Sequence, residues 1–330
     1  MRIDMGRTKD ASTALTLDQQ VDGLRTMLEI RGFEDECHRL FAAGLVRGST
    51  HLGQGQEAVS VGTALALRDG DTMTCTYRGH AATLAMGAPL DRSFGEILGK
   101  AEGLCGGKGG SMHLTHVESG AMGSFAIVGG HLPIACGFAF ASRFRGTGEV
   151  SVCFFGDGAT NIGAFHESMN LASVWKLPVV FICENNLYGE YSPLRSTTPL
   201  DHLVERASSY AMPGVQVDGN DLMKMHAAAS EAVSCARSGE GPTFIEALTY
   251  RHKGHSRSDP AKYRPEGELE VWLEKDPIEQ CVQTLLEAGV KSERIEQVRA
   301  DAATSVAGAL ERAMNWPEPL PASRLEHVYA

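Results

Sequence analysis

An aspartate and an asparagine, each shortly after an apolar run, are the side chains whose spacing points most clearly to chemistry. Asp157 follows Val150–Phe155 and Gly156, and Asn186 stands 29 residues later, after Val179–Ile182. One carboxylate and one amide oxygen suit a hard cation such as Mg²⁺, which keeps its other positions for phosphate and water. Neither residue lies in a Cys or His cluster with zinc spacing, so zinc is disfavoured. The pair predicts a metal site beside a phosphate.

The elements around this pair predict how the two side chains meet. Both apolar runs have the length and composition of buried strands, and the segment between them has a helical pattern that ends at Pro178. Such a unit places residues that follow the strands at the carboxyl edge of a parallel sheet, where ligands bind. Gly158 and Ala159 lead into the helix, whose backbone N–H groups and dipole suit a phosphate.

The rest of the chain continues the alternation of strands and helices. Apolar runs at Thr72–Thr76, Val215–Val217 and Phe244–Leu248 predict further strands, with helical patterns between them. This alternation predicts an α/β fold with a doubly wound, mainly parallel sheet. Two amphipathic stripes after Tyr263 predict a C-terminal helical extension.

We expect three parts along the chain. Residues 1–20 form a flexible N-terminal arm, residues 21–265 the α/β domain, and residues 266–330 the helical extension. Within the extension, Asp276-Pro277 is a helix cap with a first-turn proline. We assign its helices to packing or assembly rather than to chemistry.

Composition and charge exclude several partners. The net charge of −11 argues against nucleic acid and against an anionic membrane surface. No run approaches a membrane span, and Met1–Thr16 lacks the apolar centre of a signal peptide. The eight cysteines show no paired spacing, which indicates reduced thiols. We therefore expect a cytoplasmic protein whose phosphate site is built locally.

Several separated blocks between Met27 and Tyr263 carry a family resemblance. Gly156-Asp157-Gly158, followed by 26 residues and Asn185-Asn186, resembles the thiamine diphosphate-binding motif. The chain as a whole is similar to α subunits of the first component of 2-oxo acid dehydrogenase complexes, of the pyruvate or acetoin dehydrogenase type. The other blocks are Thr76–His80, Ala126–Gly130, His51 with Gly55–Ala58, and Gly254–Pro260.

This resemblance implies that the chain binds thiamine diphosphate and Mg²⁺. Asp157 and Asn186 match the side-chain metal ligands, and Tyr188 matches the residue that lends a backbone carbonyl. Gly158 and Ala159 match positions whose amides touch the diphosphate.

The remaining blocks imply further cofactor contacts. Tyr77 and Arg78 match a block in which the arginine guanidinium binds the diphosphate through several N–H donors. Ala126 and Val128 match a segment that forms one wall of the cofactor site. Its branched residue holds the cofactor in a bent shape, and its backbone forms hydrogen bonds with the aminopyrimidine ring. Ala126 stands where many relatives have Gly, a departure that backbone contacts should tolerate.

His51 and His255 match catalytic histidines of the family, and His255 is also expected to donate to the diphosphate. The loop Lys253–Pro260 has little apolar surface to bury, so we expect it to be mobile without cofactor. In the family the glutamate that activates the cofactor belongs to the β subunit. Because this chain has a single diphosphate module, we interpret it as half of an active site in an α2β2 heterotetramer.

The resemblance implies a reaction on a small-molecule substrate. We expect decarboxylation of pyruvate and transfer of the acetyl group to a lipoyl-bearing acyltransferase component. Acetoin cleavage stays open, since Phe154–Gly158 and Phe165–Ser168 favour it, whereas Gly254–Pro260 favours pyruvate. A non-catalytic homologue that only pairs with a partner is a third hypothesis, against which the metal ligands and Arg78 argue.

Two glycine-rich segments match nucleotide-binding motifs only in part. Gly53–Ala58 fits the dinucleotide fingerprint but has no strand before it. Gly106–Ser111 resembles a phosphate loop, but its lysine is followed by glycine. We interpret that segment as a mobile wall of the cofactor site.

Overall fold

A computed structural model describes residues 14–46 and 48–326, and its central element is a six-stranded sheet. The strands in chain order are β1 (Thr72–Thr76), β2 (Ala121–Phe125), β3 (Ser151–Gly156), β4 (Val179–Asn185), β5 (Tyr188–Gly189), β6 (Ser192–Pro193), β7 (Gly214–Asp218) and β8 (Thr243–Leu248). The spatial order is β2-β1-β3-β4-β8-β7, and every neighbouring pair in it is parallel. The short strands β5 and β6 form a separate antiparallel hairpin.

Helices cover both faces of the sheet, because successive side chains of each central strand point to opposite sides. The helices are α1 (Leu17–Ala42), α2 (Glu57–Ala64), α3 (His80–Ala85), α4 (Leu90–Ile97), α5 (Leu132–Arg145), α6 (Gly163–Val174), α7 (Leu222–Arg237), α8 (Glu268–Leu273), α9 (Pro277–Glu287) and α10 (Ser292–Met314). Val152 and Phe154 of β3 pack in the core beneath α2 and α7. Cys153 and Phe155 pack in the core beneath α5 and α6. The predicted doubly wound α/β fold is confirmed.

A third core joins the two ends of the described chain. Apolar residues of α1, such as Met27 and Phe33, pack with Ile295, Val298 and Val306 of α10. Fully burying each such side chain contributes roughly 1.5–3 kcal/mol. The helices of the predicted extension therefore cover α1.

Helix α1 begins before residue 21, at which the α/β domain is predicted to start. The Thr16 side chain accepts from the Gln19 N–H, and the Gln19 side chain accepts from the Thr16 N–H, which together make a capping box. The helix thus starts at Leu17, inside the segment predicted to be an arm. Residues 1–13 of that arm lie outside the described residues.

Strand β2 has no clear signal in the sequence. It is a five-residue edge strand with small residues, and Gly123 has a φ of 141°. Its register against β1 shifts after Met73, which interrupts the regular pairing. In the part of the chain that is described, no helix is both long enough and apolar enough to span a bilayer.

Candidate active site

The carboxyl ends of β1, β3, β4 and β8 surround one cavity of about 310 Å³. The parallel register pairs Gly156 with Glu184 and Asn185 with Leu248, so residues that follow these strands meet at one edge. Nine of the predicted site residues line this cavity: Tyr77, Arg78, Val128, Asp157, Gly158, Ala159, Asn186, Tyr188 and His255.

Asp157 and Asn186 each hold one buried oxygen atom without a hydrogen-bond partner among the described residues. These atoms are Asp157 Oδ2 and Asn186 Oδ1. Asn186 Nδ2 donates to Gln56 Oε1 at 3.2 Å, which leaves the amide oxygen free. Burial raises the pKa of Asp157 to about 6, and the nearby Arg251 charge opposes that rise. A desolvated carboxylate beside a free amide oxygen is an arrangement that a hard cation stabilises.

The donor set fits Mg²⁺ better than zinc. The described residues contain no group of three or more His, Cys, Asp or Glu side chains that could hold a metal. A closed zinc site needs such a group, whereas Mg²⁺ commonly takes one or two protein oxygens together with phosphate and water. The predicted ligand set of Asp157, Asn186 and a backbone carbonyl is of the second kind.

The segment after Asn186 has an unusual backbone. Leu187 and Glu190 have φ values of 72° and 56°, in the left-handed region that non-glycine residues rarely adopt. Tyr188 lies between them, and its hydroxyl donates to the Glu268 carboxylate at 2.8 Å. Backbone strain of this kind is concentrated at ligand sites, where surrounding contacts hold it in place.

The turn after β3 brings backbone close to the opposite wall of the cavity. Residues Asp157–Asn161 form a 3₁₀ turn that leads into α6. A Cβ atom at Gly158 would lie 3.2 Å from Gly189 Cα, so a side chain there would crowd that wall. Glycine therefore leaves room for a ligand near the N–H groups of Gly158 and Ala159.

Arg78 supplies positive charge from the end of β1. Its Nη2 donates to the His255 carbonyl at 2.7 Å, and its Nη1 donates to the Leu52 carbonyl. Burial and the neighbouring Arg251 charge lower the pKa of Arg78 to about 10. The guanidinium remains charged at neutral pH and is available to an anion in the cavity.

The two predicted histidines lie together, although only His255 lines the cavity. Their ring centroids are 5.1 Å apart, and that of His51 is 4.4 Å from that of Tyr77. Burial and the Arg78 charge lower the pKa of each histidine to about 3. Both imidazoles are therefore neutral at pH 7.

The predicted wall residues contribute unequally. Val128 lines the cavity and is 40% exposed, and its neighbour Ile127 is 75% exposed. Ala126 directly follows β2 but is not among the described residues that line the cavity. The wall thus presents apolar surface to solvent at the edge of the site.

The loop that carries His255 closes around Asp259. Asp259 Oδ2 accepts from the His255 N–H at 2.6 Å and from the Tyr263 hydroxyl at 2.9 Å. A Cβ atom at Gly254 would collide with the Asp259 carbonyl oxygen, so this turn requires glycine. The Arg257 N–H donates to the Thr50 carbonyl at 2.9 Å, which ties the loop to the segment before α2.

Sequence reasoning missed Arg251 and Glu184, which also line the cavity. Arg251 comes three residues after β8, so the rule that located Asp157 could have located it as well. Glu184 lies near the end of β4. Burial raises its pKa to about 7, while Arg78 and a hydrogen bond with Gln56 oppose the rise.

The interpretation of Gly106–Ser111 as a wall of the cofactor site is wrong. None of these residues lines the cavity between the strand ends. Four backbone N–H groups in and next to this segment donate to the buried Glu96 carboxylate at 2.6–2.9 Å; they belong to Cys105, Gly107, Gly109 and Gly110. Such a concave set of N–H groups binds an anion, and here the anion is a side chain of the protein itself.

Glu96→Gln is expected to destabilise the fold by about 2–4 kcal/mol. An amide has one acceptor oxygen and directs an N–H₂ group at backbone donors, which leaves them unsatisfied. Urea unfolding of the variant and of the control Glu102→Gln, at an exposed neighbouring position, checks this. Equal unfolding midpoints for both variants would contradict the structural role of Glu96.

Comparison with known proteins agrees with the geometry. Residues 25–322 match the family described as dehydrogenase E1 component. The chain is 44% identical to the acetoin:2,6-dichlorophenolindophenol oxidoreductase α subunit of Bacillus subtilis (strain 168), over 97% of this chain and 96% of the relative. It is 42% identical to the pyruvate dehydrogenase E1 component α subunit of Rhizobium meliloti (strain 1021), over 92% and 87%. A second acetoin oxidoreductase α subunit, from Cupriavidus necator, is 40% identical over 98% of both chains. The predicted resemblance is confirmed, and the chain belongs to the dehydrogenase E1 component family.

Proposed function

We propose that this chain is the α subunit of a thiamine diphosphate-dependent first component of a 2-oxo acid dehydrogenase complex. The observation that carries the proposal is the pair of buried oxygens on Asp157 and Asn186 that find no hydrogen-bond partner among the described residues, in one cavity with Arg78. Family membership supports it, because relatives that cover most of the chain are named as α subunits of pyruvate dehydrogenase or of acetoin oxidoreductase.

The metal would be Mg²⁺, held by Asp157, Asn186 and the backbone carbonyl of Tyr188. The diphosphate would take its remaining contacts from Arg78, from the N–H groups of Gly158 and Ala159, and from His255. Two of these contributors need no net charge, because backbone N–H groups and a neutral imidazole both donate hydrogen bonds.

When bound, thiamine diphosphate supplies the nucleophilic carbon and the electron sink for cleavage of a C–C bond beside a carbonyl. The residues of this chain bind and orient it. Val128, with the backbone near Ala126, would support the bent cofactor, and Tyr77 packs against His51 near the cavity. In a buried site of this kind fixed donors act strongly on developing charge, because little solvent screens them.

A β subunit would complete the site. Ile127 and Val128 leave apolar surface exposed beside the cavity, which a partner chain would bury. We propose an α2β2 heterotetramer in which the β subunit supplies the activating glutamate, with a lipoyl-bearing acyltransferase component as acyl acceptor.

Pyruvate is the proposed substrate, since a 2-oxo acid brings a carboxylate that cationic and neutral donors can hold. His51, His255 and Arg78 gather such donors on one side of the site. Acetoin is the second candidate, because the 44% identical relative is named for acetoin and matches this chain almost end to end. Acetoin carries no carboxylate, which separates the two candidates chemically.

Artificial-acceptor reduction by the chain reconstituted with its β partner tests this choice. The specificity constant is expected to be higher for pyruvate than for acetoin, and at least about tenfold higher than for the bulkier 3-methyl-2-oxobutanoate. His51→Gln should lower the constant for pyruvate more than that for acetoin. A constant for acetoin ten times that for pyruvate would overturn the assignment in favour of acetoin cleavage.

A further inference from the structure

Arg251 is a cavity residue for which the proposed contacts with metal and diphosphate give no role. Its side chain is only 2% exposed. One side of the guanidinium is anchored, because Nη2 donates to the Glu190 carbonyl at 3.0 Å and to the Tyr263 hydroxyl at 3.2 Å. The other nitrogen, Nη1, lies 2.9 Å from His255 Nδ1. Since the guanidinium is planar, the first two contacts hold the third in place.

Only one assignment of donor and acceptor is possible in the contact between Arg251 and His255. A guanidinium carries donors and no acceptor, so His255 Nδ1 must accept the hydrogen bond and cannot carry a proton. Burial and the Arg78 and Arg251 charges lower the pKa of His255 to about 3, which keeps its ring neutral at pH 7. A neutral imidazole has one ring proton, and here that proton is on Nε2.

The other neighbours of the ring do not select a tautomer. His51, Tyr77 and Tyr191 meet the His255 ring at interplanar angles of 70–77°. Such contacts restrict the plane of the ring but do not distinguish one nitrogen from the other. Among the described contacts of the His255 ring, the hydrogen bond from Arg251 is thus the one that distinguishes Nδ1 from Nε2.

We propose that Arg251 is a positioning residue that holds His255 as the Nε2–H tautomer, with that N–H available to an anion in the cavity. A carboxylate at Nδ1 would have the opposite effect, since it would accept a hydrogen bond from Nδ1–H and leave Nε2 unprotonated as a base. With an arginine there, His255 is a hydrogen-bond donor and not a general base. The tautomer follows from the geometry alone, whereas the use of the Nε2–H by diphosphate or substrate rests on the proposed function.

Nitrogen-15 NMR of the histidine-labelled full-length chain at pH 7 tests the tautomer, with His255→Ala used to assign the signals. The expected result is an unprotonated Nδ1 and a protonated Nε2 on His255. Arg251→Met should produce a mixture of tautomers, and Arg251→Lys should restore Nε2–H in part because it keeps a donor. A protonated Nδ1 in the unsubstituted chain would overturn the proposal.

Arg264→Met is the matched control for loop stability. Arg264 donates to the carbonyls of Arg251 and Lys253 at 2.8 and 2.7 Å, so its loss loosens the same loop without removing the donor to Nδ1. This variant is expected to lower the melting temperature while the His255 signals keep the Nε2–H pattern. A mixture of tautomers in this control would show that loop order, and not Arg251, selects the tautomer.

A double-mutant cycle in the α–β assembly tests the functional part. Loss of an outer-shell group that orients a metal ligand typically costs about 10–100-fold in affinity or activity, and Arg251→Met, which removes a comparable orienting hydrogen bond, is expected to lower kcat/KM by such a factor. In the His255→Ala background the same substitution should cost less than about threefold, because the two residues act as one unit. Equal losses in both backgrounds would show that Arg251 acts independently. If the unsubstituted assembly failed to bind magnesium thiamine diphosphate, the proposed function would fall, and the NMR result would still decide the tautomer.

Discussion

Replacing Asp157 by Asn is expected to weaken binding of thiamine diphosphate with Mg²⁺ at least about 100-fold, or about 2.7 kcal/mol. Asp157 supplies the only side-chain negative charge in the proposed metal shell, and its unpartnered Oδ2 has no other described group to bind. An amide in its place keeps the shape but loses the charge that a divalent cation requires. Calorimetric titration of the α–β assembly with cofactor, at saturating Mg²⁺, measures the change.

Asp157→Asn should at the same time stabilise the empty protein. Burial raises the pKa of Asp157 from 3.8 to about 6, so the folded state binds more protons than the unfolded state between these values. Stability therefore falls as pH rises through that window and stays lower by about 3 kcal/mol at neutral pH. Asparagine carries no such cost. The gain should be present above pH 6 and disappear below pH 4 in thermal unfolding curves without cofactor.

Asp218→Asn is the matched control for both measurements. Asp218 ends β7 at the same edge of the sheet, but it accepts from the Asn220 N–H and is exposed. Its replacement is expected to leave cofactor affinity and the pH dependence of stability unchanged. Undiminished magnesium-dependent binding by the Asp157 variant would refute the metal site.

Turnover by the purified chain alone is expected to stay about 10²–10⁴-fold below that of the reconstituted assembly. In the proposed half-site the activating glutamate comes from the β subunit, and one positioned acid–base group typically contributes a factor of this size. The exposed Ile127 and Val128 beside the cavity fit a site that a partner completes. Initial rates with pyruvate and an artificial acceptor, with and without the β subunit, measure the factor.

Titration with the β subunit sharpens this test. Activity should rise linearly and saturate at one β chain per α chain, because each proposed site combines one chain of each kind. A β subunit in which the activating glutamate is replaced by glutamine should assemble and leave the rate low. Full turnover by a homogeneous preparation of this chain would refute the half-site interpretation.

Local patterns were sufficient for five of the six strands of the sheet and for the positions of Asp157 and Asn186 at the strand ends. The bounds Thr72–Thr76 of β1 match the predicted run, and β3, β4 and β8 differ from theirs by at most a few residues. Because parallel strands end at one edge of a sheet, the positions of Asp157 and Asn186 after two of them placed both side chains in one cavity. Strand β2 was missed because its short, glycine-containing edge segment carries little of the burial pattern on which such predictions depend.

The glycine-rich segment shows where local pattern fails. Glycines with free N–H groups predict an anion site, but the same geometry serves a phosphate or a carboxylate of the protein. Which anion the segment binds is decided by Glu96, which lies on a different element and reaches the segment only in the folded chain.

The amino-acid sequence by itself determined the fold class, the family and the side chains at the strand ends, because periodicity and strand-end position are local properties. Only the tertiary structure decided how those side chains are held. Gln56 orients Asn186 across 130 residues, and Arg78 reaches the His255 carbonyl across 177. The bond between Arg251 and His255 spans only four residues, yet its direction depends on Glu190, 61 residues away, which anchors the guanidinium. Contacts of this kind follow from packing in three dimensions, which residue spacing along the chain does not encode.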